Sequence, residues 1–237
     1  MQQIGNIADR VREPEVMDRP DLDATKHRRA LAGLARLNRL SGSVGIIWPS
    51  IAKLSAQLGR PISVLDLATG GGDIPLGLWR RTRRNGLKLE ICGVDVSRRA
   101  VEIAQTHAEH AGAAVRFAVL QTLTEELPSG FDIVMCSLFL HHLNREDAVA
   151  LLAKMAAAAR HMVLVNDLVR SRRGLILAHL AARLLTMSSV VWVDAPRSVR
   201  AAFTIDEVRE LALAAGLAGV TVSRRWPCRM LLEWKRP

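Results

Sequence analysis

The run Val64-Leu65-Asp66-Leu67-Ala68-Thr69-Gly70-Gly71-Gly72-Asp73 constrains this chain more than any other segment. A short apolar stretch ends in a turn of small residues, and helical periodicity begins at Asp73. Such a junction lets the backbone approach a ligand while the helix amino terminus aims its partial positive charge at the same spot. The spacing excludes a dinucleotide fingerprint, which needs G-x-G-x-x-G, because Gly70 and Gly72 are followed at the third position by Pro75. Asp66, at the strand's end, would repel a pyrophosphate and attract an ammonium group. The ligand expected here has a cationic end.

The pattern around the junction predicts the fold. Apolar runs at residues 62–68, 89–96, 115–120, 133–138 and 162–167 alternate with helical periodicity at 73–84, 98–111 and 145–159. Strands that are apolar throughout belong to a sheet covered on both faces, and the alternation implies a mostly parallel one. After a last helix at 205–215, strands at 220–225 and 230–234 flank Trp226-Pro227-Cys228, a connection short enough for an antiparallel hairpin. Two helices precede the sheet. One spans 25–40, with Ala30, Leu31, Leu34, Leu37 and Leu40 on one face; the other spans about 49–58, with Pro49 in its first turn. The expected organisation is a helical cap over residues 1–60 and a ligand-binding domain over 61–237, with an insertion at about 168–203.

A second motif is Gly93-Val94-Asp95-Val96-Ser97. A carboxylate at the tip of the next strand accepts hydrogen bonds from both hydroxyls of a ribose, as in nucleotide-binding α/β folds. Ser97 is the better candidate to cap the following helix.

Together these motifs resemble those of the class I S-adenosylmethionine-dependent methyltransferases. Asp66 to Asp73 is similar to their first motif, with Ala68 in place of the usual first glycine, as in the ubiquinone/menaquinone-biosynthesis branch. Gly93 to Ser97 is similar to the second, and Ser137-Leu138-Phe139-Leu140-His141-His142-Leu143 resembles the segment after the fourth strand in small-molecule members. The resemblance covers residues 62–167 and implies a Rossmann-like, seven-stranded, mostly parallel α/β sheet with helices on both faces. It implies S-adenosyl-L-methionine as cofactor. Asp66, Ala68, Thr69, Gly70 and Gly72 would line its methionine part, Asp95 would hold the ribose and Val96 would pack on the adenine. Gln121 and Thr122 would meet the adenine amino group, and Cys136 and Ser137 would lie beside the cofactor. The N/D-P-P-Y/F segment of amino-directed nucleic-acid enzymes is absent after the fourth strand.

If the acceptor is a hydroxyl, a base must take its proton, and histidine suits that task near neutral pH. His141 and His142 are the candidates. Asp167 ends the neighbouring strand and is placed to orient one of them. No metal site is expected: Cys92, Cys136 and Cys228 form no C-x-x-C pair, which also excludes a disulfide scaffold.

Residues 174–193 carry a single formal charge, Arg183, yet Arg183 and His179 near the middle and Ser188-Ser189 near the end speak against a membrane span. The segment reads as a lid whose apolar residues, Leu184 and Leu185 among them, close over the cleft and contact an apolar acceptor. Arg170, Arg172 and Arg173 before it leave a peripheral membrane contact open, and a homodimer is compatible with the same surface. Arg197 and Arg200 are candidates to pin an anionic group. The net charge of +10 raises an RNA acceptor as a rival, but the basic residues are spread along the chain and tyrosine is absent, so nucleic acid is disfavoured. Residues 1–16 carry charges and no apolar run, so no secretory signal and a cytoplasmic setting are expected. The reading is an enzyme that methylates a hydrophobic small molecule (a phenol, polyketide or quinone-like acceptor), with O-methylation favoured. Its rivals are an RNA methyltransferase and a cofactor-binding module without turnover.

Overall fold

Seven strands form one sheet: β1 (Ile62–Leu67), β2 (Leu89–Asp95), β3 (Val115–Val119), β4 (Phe131–Ser137), β5 (Ala159–Leu168), β6 (Thr221–Arg225) and β7 (Arg229–Lys235). The structure is a computed structural model that describes residues 7–17, 19 and 21–237. Strand order is β3-β2-β1-β4-β5-β7-β6, with β1 to β5 parallel and β7 antiparallel to both β5 and β6. The expected Rossmann-like α/β sheet with its reversed C-terminal hairpin is therefore present. Strand order reverses where β1 meets β4, and the crevice beyond their carboxyl ends is where ligands bind in sheets of this kind.

Among the described residues eight α-helices accompany the sheet: α1 (Ala24–Leu40), α2 (Ser43–Leu58), α3 (Asp73–Asn85), α4 (Arg98–Ala111), α5 (Arg145–Ala158), α6 (Arg172–Leu185), α7 (Ser189–Ala201) and α8 (Ile205–Ala214). Alternate residues of the central strands serve opposite faces. Val134 and Val163 pack with Leu151 and Leu152 of α5 and Val208 of α8, while Ile133 and Leu164 pack with Ile51 of α2 and Leu78 of α3. Truncating one such side chain to alanine costs about 2–5 kcal/mol. At the edge, β3 has no buried residue and carries Arg116, so the expectation of doubly covered strands fails there.

The amino-terminal region corrects the expected division. Helix α2 starts at Ser43, and Pro49 lies in its interior rather than in its first turn. An interior proline costs about 3 kcal/mol through a missing N–H and a crowded carbonyl. Burial of Ile46, Ile47 and Trp48 ahead of it supplies more than that. Helix α2 thus covers the sheet, and the cap consists of α1 with α6 and α7, joined through Ala30, Ala182, Val190 and Val191. The insertion is two helices, α6 and α7, and α7 extends past residue 193 to Ala201. Ser188 makes the break by accepting the Val191 N–H at 3.4 Å.

Residues 7–17 run as a strap with no helix or strand. Arg170 donates from Nε to the Ile7 carbonyl at 3.1 Å and from Nη2 to the Ala8 carbonyl at 3.0 Å. The Asp194 carboxylate accepts the Val16 and Met17 N–H groups at 2.9 and 3.0 Å. The part of the expected 1–60 cap at residues 1–6, 18 and 20 lies outside the described residues, as does the beginning of the stretch read for a secretory signal. Among the described residues no helix is long and apolar enough to cross a membrane.

Candidate active site

A cavity of about 550 Å³ opens at the carboxyl ends of β1 and β4 and is roofed by α1, α6 and α7. Its walls are mainly apolar, with Leu31, Leu34 and Leu37 from α1 and Leu177, Ala181 and Leu185 from α6. Its floor holds Asp66, Ala68, Thr69, Gly70 and Ser137, and one end holds His141 and His142. Seven of the sequence-derived site residues thus share one cavity.

The floor is shaped by backbone as much as by side chains. Ala68, Leu138 and Cys228 have φ values of 53°, 58° and 61°, and each lines the cavity. A left-handed conformation costs a residue with a Cβ roughly 1–2 kcal/mol, and such strain gathers at functional sites. Ala68 adopts it at the position where the resemblance expects glycine. Gly70 has φ +55° and open space around an added Cβ, as a ligand-facing glycine should. Gly72 differs: a Cβ there would meet Ala104 and Phe117 at 2.9 Å. It does not line the cavity, and its role is close packing against α4 and β3.

Asp66 is fully buried. Its Oδ2 accepts the Thr69 hydroxyl at 2.7 Å, while its Oδ1 has no hydrogen-bond partner. Burial pushes this carboxyl up to about 8, and the nearby Asp73 and Asp95 carboxylates add to the effect against the Thr69 bond. The Ser137 hydroxyl is likewise buried and without a partner. Unpaired buried polar atoms at a cavity floor ask for a polar ligand. A raised carboxyl and a hydroxyl together suit a group bearing an ammonium. The residues therefore fit the amino-acid end of the expected cofactor.

Asp95 lies beside this floor. Its Oδ2 accepts the Gly70 N–H at 2.8 Å and its Oδ1 accepts the Ser97 N–H at 2.9 Å, so it holds the glycine turn in place. Val96 next to it is 59% exposed, leaving an apolar face free for a flat ring. The Leu120 N–H donates to the Asp95 carbonyl at 3.0 Å, which brings Gln121 to the end of the neighbouring strand, and Thr122 is buried. Asp95, Val96, Gln121 and Thr122 lie outside the cavity lining. Cys136 is buried in the core and does not line the cavity, and desolvation raises its thiol well above the ordinary value, as befits an inert filler.

At the polar end, Asp167 Oδ1 lies 2.7 Å from His141 Nδ1. Asp167 also accepts the backbone N–H groups of His141 at 3.2 Å and Leu168 at 2.6 Å. Burial would raise its carboxyl, but the His141 ring and these donors hold it below the ordinary value. An ionised carboxylate only accepts, so the ring carries its proton on Nδ1 and turns the Nε2 lone pair toward the cavity. Asn144, not either histidine, caps α5 by accepting the Asp147 N–H at 2.6 Å.

Several site residues gave no sequence signal or were misjudged. Glu15 reaches the cavity from the strap and faces both histidines, although nothing in its charged surroundings marks it. Asn38 interrupts the apolar face of α1, a visible sign. Its amide donates to Asp73 Oδ2 at 3.0 Å, and its oxygen accepts from Arg229 Nη2 at 3.3 Å. Arg197, a candidate to pin an anionic group, pairs with Glu13 at 2.9 Å and fastens the strap. Leu184 is 79% exposed and turned away from the cavity that Leu185 lines.

A family model described as a methyltransferase domain matches residues 64–161. A ubiquinone biosynthesis O-methyltransferase of Idiomarina loihiensis is 25% identical over 121 residues, covering 50% of this chain and 47% of the relative. A demethylmenaquinone methyltransferase of Thermus thermophilus is 33% identical over 133 residues, 55% of this chain and 59% of the relative. The chain therefore spans about half the length of the curated relatives it matches. The magnesium protoporphyrin IX methyltransferase of Synechocystis, solved with bound S-adenosylhomocysteine, superposes with a TM-score of 0.57 at 18% identity, over 92% of this chain and 90% of that one.

Proposed function

This chain carries a class I S-adenosylmethionine-dependent methyltransferase domain, and from that premise we propose that it methylates an oxygen of an apolar small molecule, a phenol, polyketide or quinone-like acceptor. One observation carries the reading: an apolar cavity has the His141–Asp167 pair at one end and the Asp66–Gly70 turn on its floor. S-adenosylmethionine, when bound, supplies a methyl group activated by its sulfonium. Asp66, Ala68, Thr69, Gly70 and Ser137 would hold its methionine part, Asp95 its ribose, and Val96 with Gln121 and Thr122 its adenine.

The protein's own contribution is orientation, exclusion of water and proton transfer. Helices α1 and α6 enclose the acceptor. His141 Nε2 takes the hydroxyl proton, and Asp167 holds the ring's tautomer and stabilises the imidazolium that forms. His142, whose ring centroid lies 4.3 Å from that of His141, forms the adjoining wall. Incubating the protein with isotopically labelled cofactor and cell extract, followed by mass spectrometry, tests the proposal. A labelled apolar metabolite is expected. Label confined to RNA would overturn the acceptor class, and no label transfer would reduce the protein to a binding module.

The outer face of α6 presents Ile176, Leu180 and Leu184, with Met187 beyond and Arg172 and Arg173 at its start, all exposed. An apolar stripe with basic residues at one end suits contact with an anionic membrane surface, from which an apolar acceptor would enter. Flotation with vesicles containing anionic lipid tests this, and sedimentation tests a second copy of the chain on the same face.

A further inference from the structure

Glu15 is a buried carboxylate, 8% exposed, that the proposed chemistry does not use. Its Oε1 lies 3.8 Å from His141 Nε2 and its Oε2 lies 4.0 Å from His142 Nε2. Its place is fixed by the strap. The Ser198 hydroxyl donates to Oε1, the residues just after it bond to Asp194, and Arg197 holds Glu13 and the Pro14 carbonyl on the other side. The strap is also tied to the histidines' own turn, because Arg10 Nη2 donates to the carbonyls of His141 at 2.9 Å and Leu143 at 2.6 Å.

The geometry sets an acceptor against an acceptor. His141 Nε2 presents a lone pair toward Glu15, and 3.8 Å is too far for a hydrogen bond. The arrangement acquires a purpose once the ring takes a proton. The imidazolium then stands between two carboxylates, Asp167 on one side and Glu15 on the other. An opposite charge within about 4–6 Å in a desolvated site favours the charged form. The other charged or titratable groups near this ring are His142, Arg10, which donates to the His141 carbonyl, and the buried Arg229, which like Arg10 acts on Asp167.

We infer that Glu15 is a positioning residue of the methyl transfer: delivered by the strap, it acts through His141 and stabilises the imidazolium formed when the acceptor gives up its proton. The inference rests on the reading of His141 as the proton acceptor. The O–H bond of the acceptor breaks, the proton goes to Nε2, and the oxygen keeps the electron pair with which it forms a bond to the methyl carbon, as the bond from that carbon to sulfur breaks and its pair stays on the departing thioether. A segment outside the sheet thereby completes the proton machinery.

The first readout needs no acceptor. Nitrogen-15 NMR of the full chain reads the charge state of the His141 ring in wild type, Glu15→Gln, Glu15→Asp and Ser198→Ala. Glutamine keeps the side-chain length, and its amide oxygen still accepts from Ser198, so the charge is removed while the Oε2 position toward His142 becomes an N–H donor. At a pH where the wild-type ring is partly charged, Glu15→Gln should lower the ratio of charged to neutral ring by about ten-fold or more. Glu15→Asp should recover part of it. Ser198→Ala loosens the strap but keeps the charge, so it should lower the melting temperature more than the ring's charge. An unchanged ring in Glu15→Gln overturns the inference. So does tight uptake of zinc by wild type but not by Glu15→Gln, which would make Glu15 and the two histidines metal ligands. A ring that loses charge in Glu15→Gln, in an enzyme whose turnover ignores His141→Ala, would uphold the contact and overturn the base.

Discussion

Asp167 Oδ1 sits 2.7 Å from His141 Nδ1, joining the end of β5 to the turn that follows β4. Asp167 also accepts the backbone N–H of His141, so one carboxylate fixes both the ring and the turn that carries it. The register pairs Ser137 with Asn166, which places the two loops side by side. Parallel neighbours deliver their ends to the same edge of the sheet, and the pairing of these two residues follows from that.

His141→Ala is therefore expected to lower kcat by about 10²–10⁴, the usual contribution of a general base, while affinity for S-adenosylhomocysteine stays within two-fold or so. Asp167→Asn should lower kcat by about ten-fold or more, because its amide can donate to Nδ1 and turn the ring's proton onto Nε2. Steady-state kinetics alongside calorimetry separate the two effects. Full kcat in His141→Ala with a loss in His142→Ala would move the base by one residue.

That pairing was legible in the sequence because Asp167 ends one apolar run and His141 follows closely on another, and runs of that kind form adjacent parallel strands. The turn from Asp66 to Gly72 and the carboxylate Asp95 were legible for the same reason. Glu15 was not, since an irregular strap has no periodicity and its place depends on Ser198 and Asp194, far away in the chain. Pro49 misled because local preference puts proline in a first turn, whereas burial of Ile46 to Trp48 extends α2 past it. Leu184 misled because adjacent residues on a helix face different directions and composition alone does not choose between them.

Asp66 offers a pH signature. Its carboxyl is raised from the ordinary 3.8 to about 8 in the folded, unliganded protein. The folded state therefore binds the proton more tightly than the unfolded one, and the stability this group confers falls as pH rises from about 4 to about 8 and levels off above. Asp66→Asn should flatten that slope in urea titrations. A ligand whose ammonium meets Asp66 would favour the ionised form, so binding at pH 7 should release about one proton per ligand. Calorimetry with S-adenosylhomocysteine in two buffers of different ionisation enthalpy measures it. No buffer dependence would place the ammonium elsewhere.

Asp95→Ala should weaken binding of the same ligand by about 1.5–3 kcal/mol, the range for hydrogen bonds to a charged group. Because Asp95 also holds the Gly70 N–H, part of the loss reflects a loosened turn. Adenosine, which keeps the ribose but lacks the methionine part, should lose affinity too. If only S-adenosylhomocysteine were affected, the carboxylate would act on the turn alone.

Ala68 holds a left-handed backbone with φ 53°. Ala68→Gly removes a cost of roughly 1–2 kcal/mol, offset by about 0.4–1 kcal/mol for the greater freedom of glycine in the unfolded chain. A gain of up to about 1.5 kcal/mol in denaturant unfolding is expected. A loss of stability would mean that the Ala68 methyl packs well enough to outweigh its strain.

The two neighbouring leucines of α6 give the clearest test of the lid. Leu185 lines the cavity, as does Leu177 two turns earlier on the same face, whereas Leu184 is exposed. Contacts felt equally by the bound acceptor and the transition state appear in KM and leave kcat alone. Leu177→Ser and Leu185→Ser should each raise KM for an apolar acceptor by about ten-fold, the equivalent of removing one to two buried methylenes at about 0.8 kcal/mol each. Affinity for S-adenosylhomocysteine should hardly move, because the floor that would hold it belongs to β1 and its turn. Leu184→Ser should leave KM unchanged in detergent-free solution. If the outer face of α6 meets a membrane, the same variant should lower retention on anionic vesicles. Equal KM effects from Leu184→Ser and Leu185→Ser would mean that α6 rotates or opens before the acceptor enters.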